Sequence, residues 1–325
     1  MSGTINNRIR VESYCEMVRF MRPAYSKTEA TFCRTFIEPV FGTPDFVGNY
    51  MLQIGDDPQV MFAAHSDTVH SKGGKQRIQM NGDIVGLHPK SKSNCLGADC
   101  TTGIWIILEM IRAGVPGKYA IFAAEEIGCR GSADFAHYGK SELAGINSVI
   151  SFDRKGYDSI ITHQCGLRTA SDEFAESLAA ILGMPMKPDS GGAYTDSNEF
   201  ASIIPECTNV SVGYFAQHTH KETQDVRHML QLADACIAAD WSQLVIARDP
   251  NAISERDWGG AYRPALYGHN SQSPSFDDMW GADYPDDECL SDFVYRNSEE
   301  VADWLESNGI SLADLKRELQ RGFFL

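Results

Sequence analysis

Lys118–Ser132 reads KYAIFAAEEIGCRGS, and how these residues are read sets the reading of the rest of the chain. Tyr119–Ala124 is a short apolar run without charge, the pattern of a buried strand. It runs into two adjacent carboxylates, Glu125 and Glu126, followed by Gly128 and Gly131. Two ionised carboxylates side by side at the end of a buried strand repel each other and are costly to desolvate. Solvent, a proton on one of them, or a cation would relieve the strain. Taken alone, the stretch reads more plainly as a solvated acidic turn, because Glu-Glu is a common dipeptide. The other strand ends decide.

Val60–Ala64 is the next buried strand outward, and it ends in His65-Ser66-Asp67. In extended chain, residues i and i+2 point the same way, so His65 and Asp67 can address one pocket. A ligand histidine commonly donates its second ring N–H to a carboxylate, and Asp67 is spaced to accept it. The apolar run Gly145–Phe152 ends at Asp153. The run Thr208–Phe215 ends in Gln217-His218-Thr219-His220-Lys221-Glu222. Asp99 stands just ahead of the apolar helix Ile104–Ile111, either as its N-cap or as a carboxylate beside the strand ends. Open α/β sheets bind ligands at the carboxyl ends of their strands. Four strand ends and one helix start offering His65, Glu126, Asp153, His218 and Asp99 are unlikely to agree by chance. Two histidines and three carboxylates suit Zn²⁺, Co²⁺ or Mn²⁺. A glutamate next to a ligand glutamate is then free to move a proton.

The remaining chain supplies strands and helices in alternation. Asn7–Met21 has near-helical apolar spacing. Ser26 and Glu29 form a capping box for a second helix through Phe32, Phe36, Ile37 and Val40. Val47–Ile54 resumes as a strand, and Gln76–Met80 pairs with Ile84–Leu87 around Asn81-Gly82 as a hairpin. Further expected elements are a helix at Ser132–Tyr138, a strand at Ser159–Thr162 and a helix at Ser171–Leu182. A glycine-led loop at Gly191–Phe200 and a helix at about Asp225–Ala247 follow. The pattern predicts an α/β fold with a mixed, mostly parallel sheet between layers of helices.

The 325 residues are 43% apolar and 22% charged, ordinary for a soluble globular chain. A net charge of −16 argues against nucleic acid or an anionic membrane as partner. The first residues, MSGTINNRIRVESYCEM, hold no apolar core of signal-peptide length, and no run reaches the roughly 18 apolar residues of a membrane span. The nine cysteines are scattered without a CxxC, which fits free thiols in a reducing cytoplasm. From Asn251 to Leu325 there are fifteen acidic and six basic residues. This stretch reads as an acidic extension of unknown role, ending in helices at about 298–307 and 311–321.

In chain order, Asp45-Phe46-Val47-Gly48-Asn49, His65-Ser66-Asp67, Gly97-Ala98-Asp99, Glu125-Glu126, Asp153 and His218-Thr-His-Lys-Glu222 resemble the co-catalytic di-zinc exopeptidases. That group includes leucyl aminopeptidase, tripeptide aminopeptidase and glutamate carboxypeptidase, and the resemblance spans about Asp45–Val226. It implies a phosphorylase/hydrolase-like three-layer α/β/α fold in a catalytic domain of residues 1–250. It also implies two divalent ions, usually zinc, with cobalt or manganese as substitutes. His65 and Asp153 would hold one ion, Glu126 and His218 the other, and Asp99 would bridge both. Glu125 would act as general base and acid, and Asp67 would orient His65. His220 competes with His218, but the family places a glutamate four residues after the ligand histidine, and Glu222 selects His218.

Only 65 positions separate Asp153 from His218, and 32 separate Asp67 from Asp99. The first gap leaves no room for a lid domain and the second only for a hairpin, so the chain resembles the single-domain aminopeptidase branch. Cys100 departs from the family, whose members often carry a second acidic residue there. The expectation is a cytoplasmic aminopeptidase, cutting N-terminal residues from peptides through a zinc-bridged hydroxide, with the oligomeric state open. A deacylase acting on N-acylated amino acids, or a carboxypeptidase, would share the ions and differ around Gly191–Phe200 and Ser71–Lys92. A catalytically dead interaction protein would be expected to have lost Glu125 or a ligand.

Overall fold

The computed structural model describes residues 7–251. The acidic stretch 252–325, including the helices expected near its end, lies outside the described residues. The strands used below are β1 (Tyr50–Ile54), β2 (Val60–His65), β3 (Ile78–Asn81), β4 (Ile84–Leu87), β5 (Gly117–Phe122) and β6 (Ser148–Arg154), followed by β7 (Ser159–Ile161), β8 (Lys187–Asp189), β9 (Glu206–Ser211), β10 (Tyr214–Phe215) and β11 (Thr223–Asp225). The helices are α1 (Asn7–Met17), α2 (Lys27–Phe32), α3 (Ala98–Arg112), α4 (Arg130–Tyr138), α5 (Asp172–Leu182) and α6 (Val226–Ala238).

Seven strands form the main sheet in the order β8-β7-β9-β6-β2-β5-β1. The β9–β6, β6–β2, β2–β5 and β8–β7 pairs are parallel, and only β7–β9 and β5–β1 are antiparallel. Successive side chains of a strand face opposite sides, and β2 buries both. Phe62 and Ala64 pack with Tyr119, Ile121, Ile150 and Phe152 under residues of α1, α3, α5 and α6. Met61 and Ala63 pack with Ala120, Phe122 and Val149 under Phe135 of α4 and under Phe200 and Ile204. A strand covered on both faces shows no polar alternation, which is why β2 and β5 read as unbroken apolar runs. A second, antiparallel sheet runs β10-β11-β4-β3.

Several boundaries differ from those expected. Helix α1 stops at Met17, because Phe20-Met21 turns away to pair with Gly74-Lys75. Ser26 caps α2 through the Glu29 N–H, but Glu29 does not close the box. Its carboxylate accepts instead from Ser66 Oγ at 2.6 Å, under the His65 turn. Helix α3 begins at Ala98 rather than Ile104, so Asp99 lies inside the first turn and Gly97 is the N-cap. Strand β9 ends at Ser211, and Gly213 turns the chain at φ 91°. The residues that follow join the small sheet, so His218 comes from the β10–β11 loop and not from the end of a main-sheet strand. Helix α6 stops at Ala238, not near Ala247, where Ala239 is already extended. The chain beyond is tied down by Arg248, whose guanidinium donates to the carbonyls of Ala201, Ile204 and Pro205.

Candidate metal centre

Parallel pairing brings the carboxyl ends of β2, β5 and β6 side by side, with His65 in register with Phe122. After Phe122 the chain turns sharply. Ala124 sits at φ 59°, in the left-handed region, and throws Glu125 and Glu126 toward His65. Asp153 projects from β6 on the other side. Helix α3 reaches the same end because Gly103 lies against the Phe152 carbonyl oxygen, where any Cβ would collide. Its first turn delivers Asp99, and the β10–β11 loop delivers His218.

The six side chains close on one another around two centres. His65 Nε2 lies 3.6 Å from Asp153 Oδ1 and 3.9 Å from Glu125 Oε2. His218 Nε2 lies 2.9 Å from Asp99 Oδ2 and 3.5 Å from Glu126 Oε2. Two donor groups, each within 4.8 Å, can be drawn: His65, Glu125 and Glu126, and Asp99, Glu126 and His218. Glu126 belongs to both, while Asp99, expected to bridge, falls in one. His220 is exposed and belongs to neither.

Asp67 is fully buried and holds this arrangement together. Its Oδ1 lies 3.3 Å from His65 Nδ1, and the same carboxylate accepts from the N–H groups of Glu125 (3.0 Å) and Glu126 (3.1 Å). It therefore fixes His65 with Nε2 facing the carboxylates and pins both glutamates to the end of β2. Asn49 braces the same turn from behind. It accepts from Ala123 N at 3.0 Å and donates to the Gly131 carbonyl at 3.0 Å. Asp153 is steadied by Thr195 Oγ1 at 3.2 Å and by Asn209, whose Oδ1 accepts from its N–H.

The charges of this pocket do not balance. Burial, reinforced by Asp99, pushes Glu126 up to about 7. Burial also lifts Glu125 well above the usual carboxylate range, with His65 opposing and Glu126 and Asp153 adding to the rise. Asp99 and Glu126 together hold the His218 imidazole up to about 11. These groups draw protons because too many anions share too little solvent. Glu126 Oε1 and Asp153 Oδ1 are buried without a hydrogen-bond partner among the described residues, and Asp99 Oδ2 meets only the His218 imidazole. An unpaired buried carboxylate oxygen is expensive. The His65 gaps of 3.6 and 3.9 Å are too long for hydrogen bonds. A divalent ion at roughly 2.0–2.2 Å from each donor would fill them. The donor set fits two such ions.

Some residues that shape the site carry no local signal in the chain. Arg22 is fully buried and donates to the Ser66 carbonyl at 2.8 Å and to Thr101 Oγ1 at 3.0 Å, joining the His65 turn to α3. Asp196, buried beside Ser132, accepts from its hydroxyl at 2.6 Å. Glu222, noted in the sequence only for its spacing from His218, is buried against the start of α3. Each acts on partners distant in sequence, which periodicity cannot reveal. The eight cysteines among the described residues are free thiols, and no described helix is long and apolar enough to cross a membrane.

Residues 49–202 match the pattern of Peptidase family M28. No curated protein matches by sequence. The fold is that of solved aminopeptidases. PepT from Bacillus cereus superposes with a TM-score of 0.57 at 16% identity, over 73% of this chain and 98% of that one. A tripeptidase from Staphylococcus aureus gives 0.57 at 13%, over 73% and 98%. The TET1 peptidase of Pyrococcus horikoshii, which can assemble into a tetrahedron or a large octahedral shell, gives 0.56 at 14%, over 71% and 99%. Residues 49–202 thus carry the pattern of a peptidase family, on a mixed sheet whose fold is shared with solved aminopeptidases and whose strand ends are crowded with carboxylates and imidazoles.

Proposed function

We propose that the protein is a metal-dependent aminopeptidase that removes N-terminal residues from peptides. The observation that carries this is the convergence of His65, His218 and three buried carboxylates, two of them with an unpartnered oxygen, on one end of the sheet. His65 and Asp153 would hold one divalent ion, Glu126 and His218 the other, with Asp99 between them. Zinc is the ion that the donor chemistry and the superfamily favour. Bound there, the ions would polarise the scissile carbonyl and make a water acidic enough to lose its proton near neutral pH.

The protein's own part is proton movement and orientation. Glu125 stands at the edge of the donors with its carboxylate beside His65. A carboxylate in that place can take a proton from the attacking water and return it to the departing amine. Asp67 holds the Nδ1–H tautomer of His65, leaving Nε2 as the donor. The short distance from Asp153 to His218 along the chain supports the single-domain aminopeptidase branch.

The test is a substrate panel on metal-loaded protein. Aminoacyl-p-nitroanilides should be cleaved in preference to N-acetylated amino acids and to peptides blocked at the amino terminus. Preference for the acylated substrates would make the protein a deacylase on the same ions. No turnover of any of them by protein carrying its metals would contradict the hydrolase reading.

A further inference from the structure

Glu222 takes no part in the proton movements above, yet it is 1% exposed and its carboxylate is fully engaged by backbone. Oε2 accepts from Leu96 N at 2.8 Å and from Gly97 N at 3.0 Å, and Oε1 accepts from Ala98 N at 2.7 Å. These three N–H groups lead into α3, immediately ahead of Asp99. The first N–H groups of a helix have no partner within it, and the cap residue Gly97 has no side chain to offer. A carboxylate from 124 residues further along, counted to Ala98, supplies the acceptor.

The other end of the same residue belongs to the His218 loop. Glu222 N donates to the Thr219 carbonyl at 3.0 Å, closing the turn that directly follows His218. Ala216 and His218 both sit at positive φ, 55° and 60°. Such conformations persist in non-glycine residues only where the surroundings enforce them. The His218 side chain is 49% exposed, whereas Asp99 and Glu126 beside it are buried, so packing around the imidazole does not hold it in place. Its loop is fastened to α3 through the Glu222 carboxylate. Gly97 makes that contact specific. It sits at φ 69°, and a Cβ there would meet His70 Cε1 at 2.8 Å.

We propose that Glu222 is a positioning residue that sets the separation of Asp99 and His218, holding the two donors on either side of one ion position. The proposal rests on the reading of those two side chains as ligands. Through it, one carboxylate links the loop that carries the more exposed ligand to the helix that carries the more buried one.

The test uses metal-free and metal-loaded full-length protein. Glu222→Gln keeps the size of the side chain but turns an NH₂ group toward at least one of the three backbone donors. Zn²⁺ affinity is measured by chelator competition, the geometry of the ions by the absorption spectrum of Co²⁺-loaded protein, and folding by the melting of the metal-free form. One ion should bind about 10–100-fold more weakly, the usual effect of removing a partner that orients a ligand. The other ion should keep its affinity, and the Co²⁺ spectrum should change for one ion only. His218→Ala should weaken the same ion, and adding Glu222→Gln to it should cost little more, since residues acting through one contact are not additive. If the Gln variant is not recovered folded, Glu222→Asp is read in the same way. It keeps both oxygens but is too short to reach all three donors. Wild-type affinity for both ions with an unchanged Co²⁺ spectrum would overturn the proposal, as would fully additive losses in the double variant. Wild-type protein that takes up no ion would overturn the metallopeptidase reading itself, and this inference with it.

Discussion

Glu125 and Glu126 are neighbours in sequence with opposite assignments. Glu126 sits between the two imidazoles, shared by both donor groups, with Oε1 lacking any hydrogen-bond partner among the described residues. Glu125 belongs to one of those groups, with Oε2 3.9 Å from His65 Nε2. Glu125→Gln preserves shape and hydrogen bonding but cannot accept the proton of water. It should lower kcat by about 10²–10⁴-fold or more, because one group serves both halves of the reaction. Steady-state kinetics beside metal analysis checks this: both ions should remain and KM should change little. Near-normal turnover with the metals intact would place the base elsewhere, and loss of an ion would reverse the two roles. That these residue types would meet was legible from sequence, because most candidates followed an apolar run and Asp99 preceded one. Which of two adjacent glutamates stands in both donor groups was not, since that depends on Ala124 adopting φ 59°.

The turn from Ala123 to Gly131 behaves as one element, clamped by two side chains that are not part of it. Asp67 takes the N–H groups of Glu125 and Glu126, and Asn49 takes that of Ala123 and binds the Gly131 carbonyl. In Asp67→Asn one amide NH₂ must face a buried backbone donor or His65 Nδ1. An unsatisfied buried donor costs about 1–3 kcal/mol. The fold should be destabilised by about that amount, and metal affinity should fall about 10–100-fold through the displaced histidine and glutamates. Denaturant titration and chelator competition on the same preparation measure both. Unchanged metal affinity would mean that the glutamates and His65 keep their places without Asp67. The strands that carry the site were readable because burial on both faces leaves an uninterrupted apolar run. The ends of α1, α3, α6 and β9 were misplaced. They are set by a strand pairing at Phe20-Met21, by a cap borrowed from Glu222, by the extended backbone at Ala239 and by the left-handed Gly213. Distant partners and single backbone angles leave no periodic trace.

Across the whole molecule, the excess of buried carboxylates makes stability depend on pH and on metal together. Burial raises Glu126 from its ordinary 4.5 to about 7 and Asp196 from 3.8 to about 8. A group whose folded pKa is raised binds more protons folded than unfolded between the two values. Its contribution is complete below the unfolded value and is lost as pH rises through the folded one. Chelated protein should therefore melt at progressively lower temperature as pH rises from about 4.5 to about 8. A divalent ion held by these donors would bind only the folded form and favour the ionised carboxylates, so it should remove most of that decline. Melting curves at successive pH values, with chelator and with Zn²⁺, test the sign. A flat profile in chelator would mean that these carboxylates are neutralised by other means.

The account depends most on the claim that this end of the sheet holds two ions. The direct measurement is metal content per chain, by elemental analysis of chelated protein titrated with Zn²⁺ to saturation. The prediction is saturation at two ions, reduced when Glu126 is replaced by Ala, because that side chain alone stands in both donor groups. Saturation at one ion would contradict the two-ion mechanism. Saturation at none would contradict the assignment of His65, Asp99, Glu126, Asp153 and His218 as ligands.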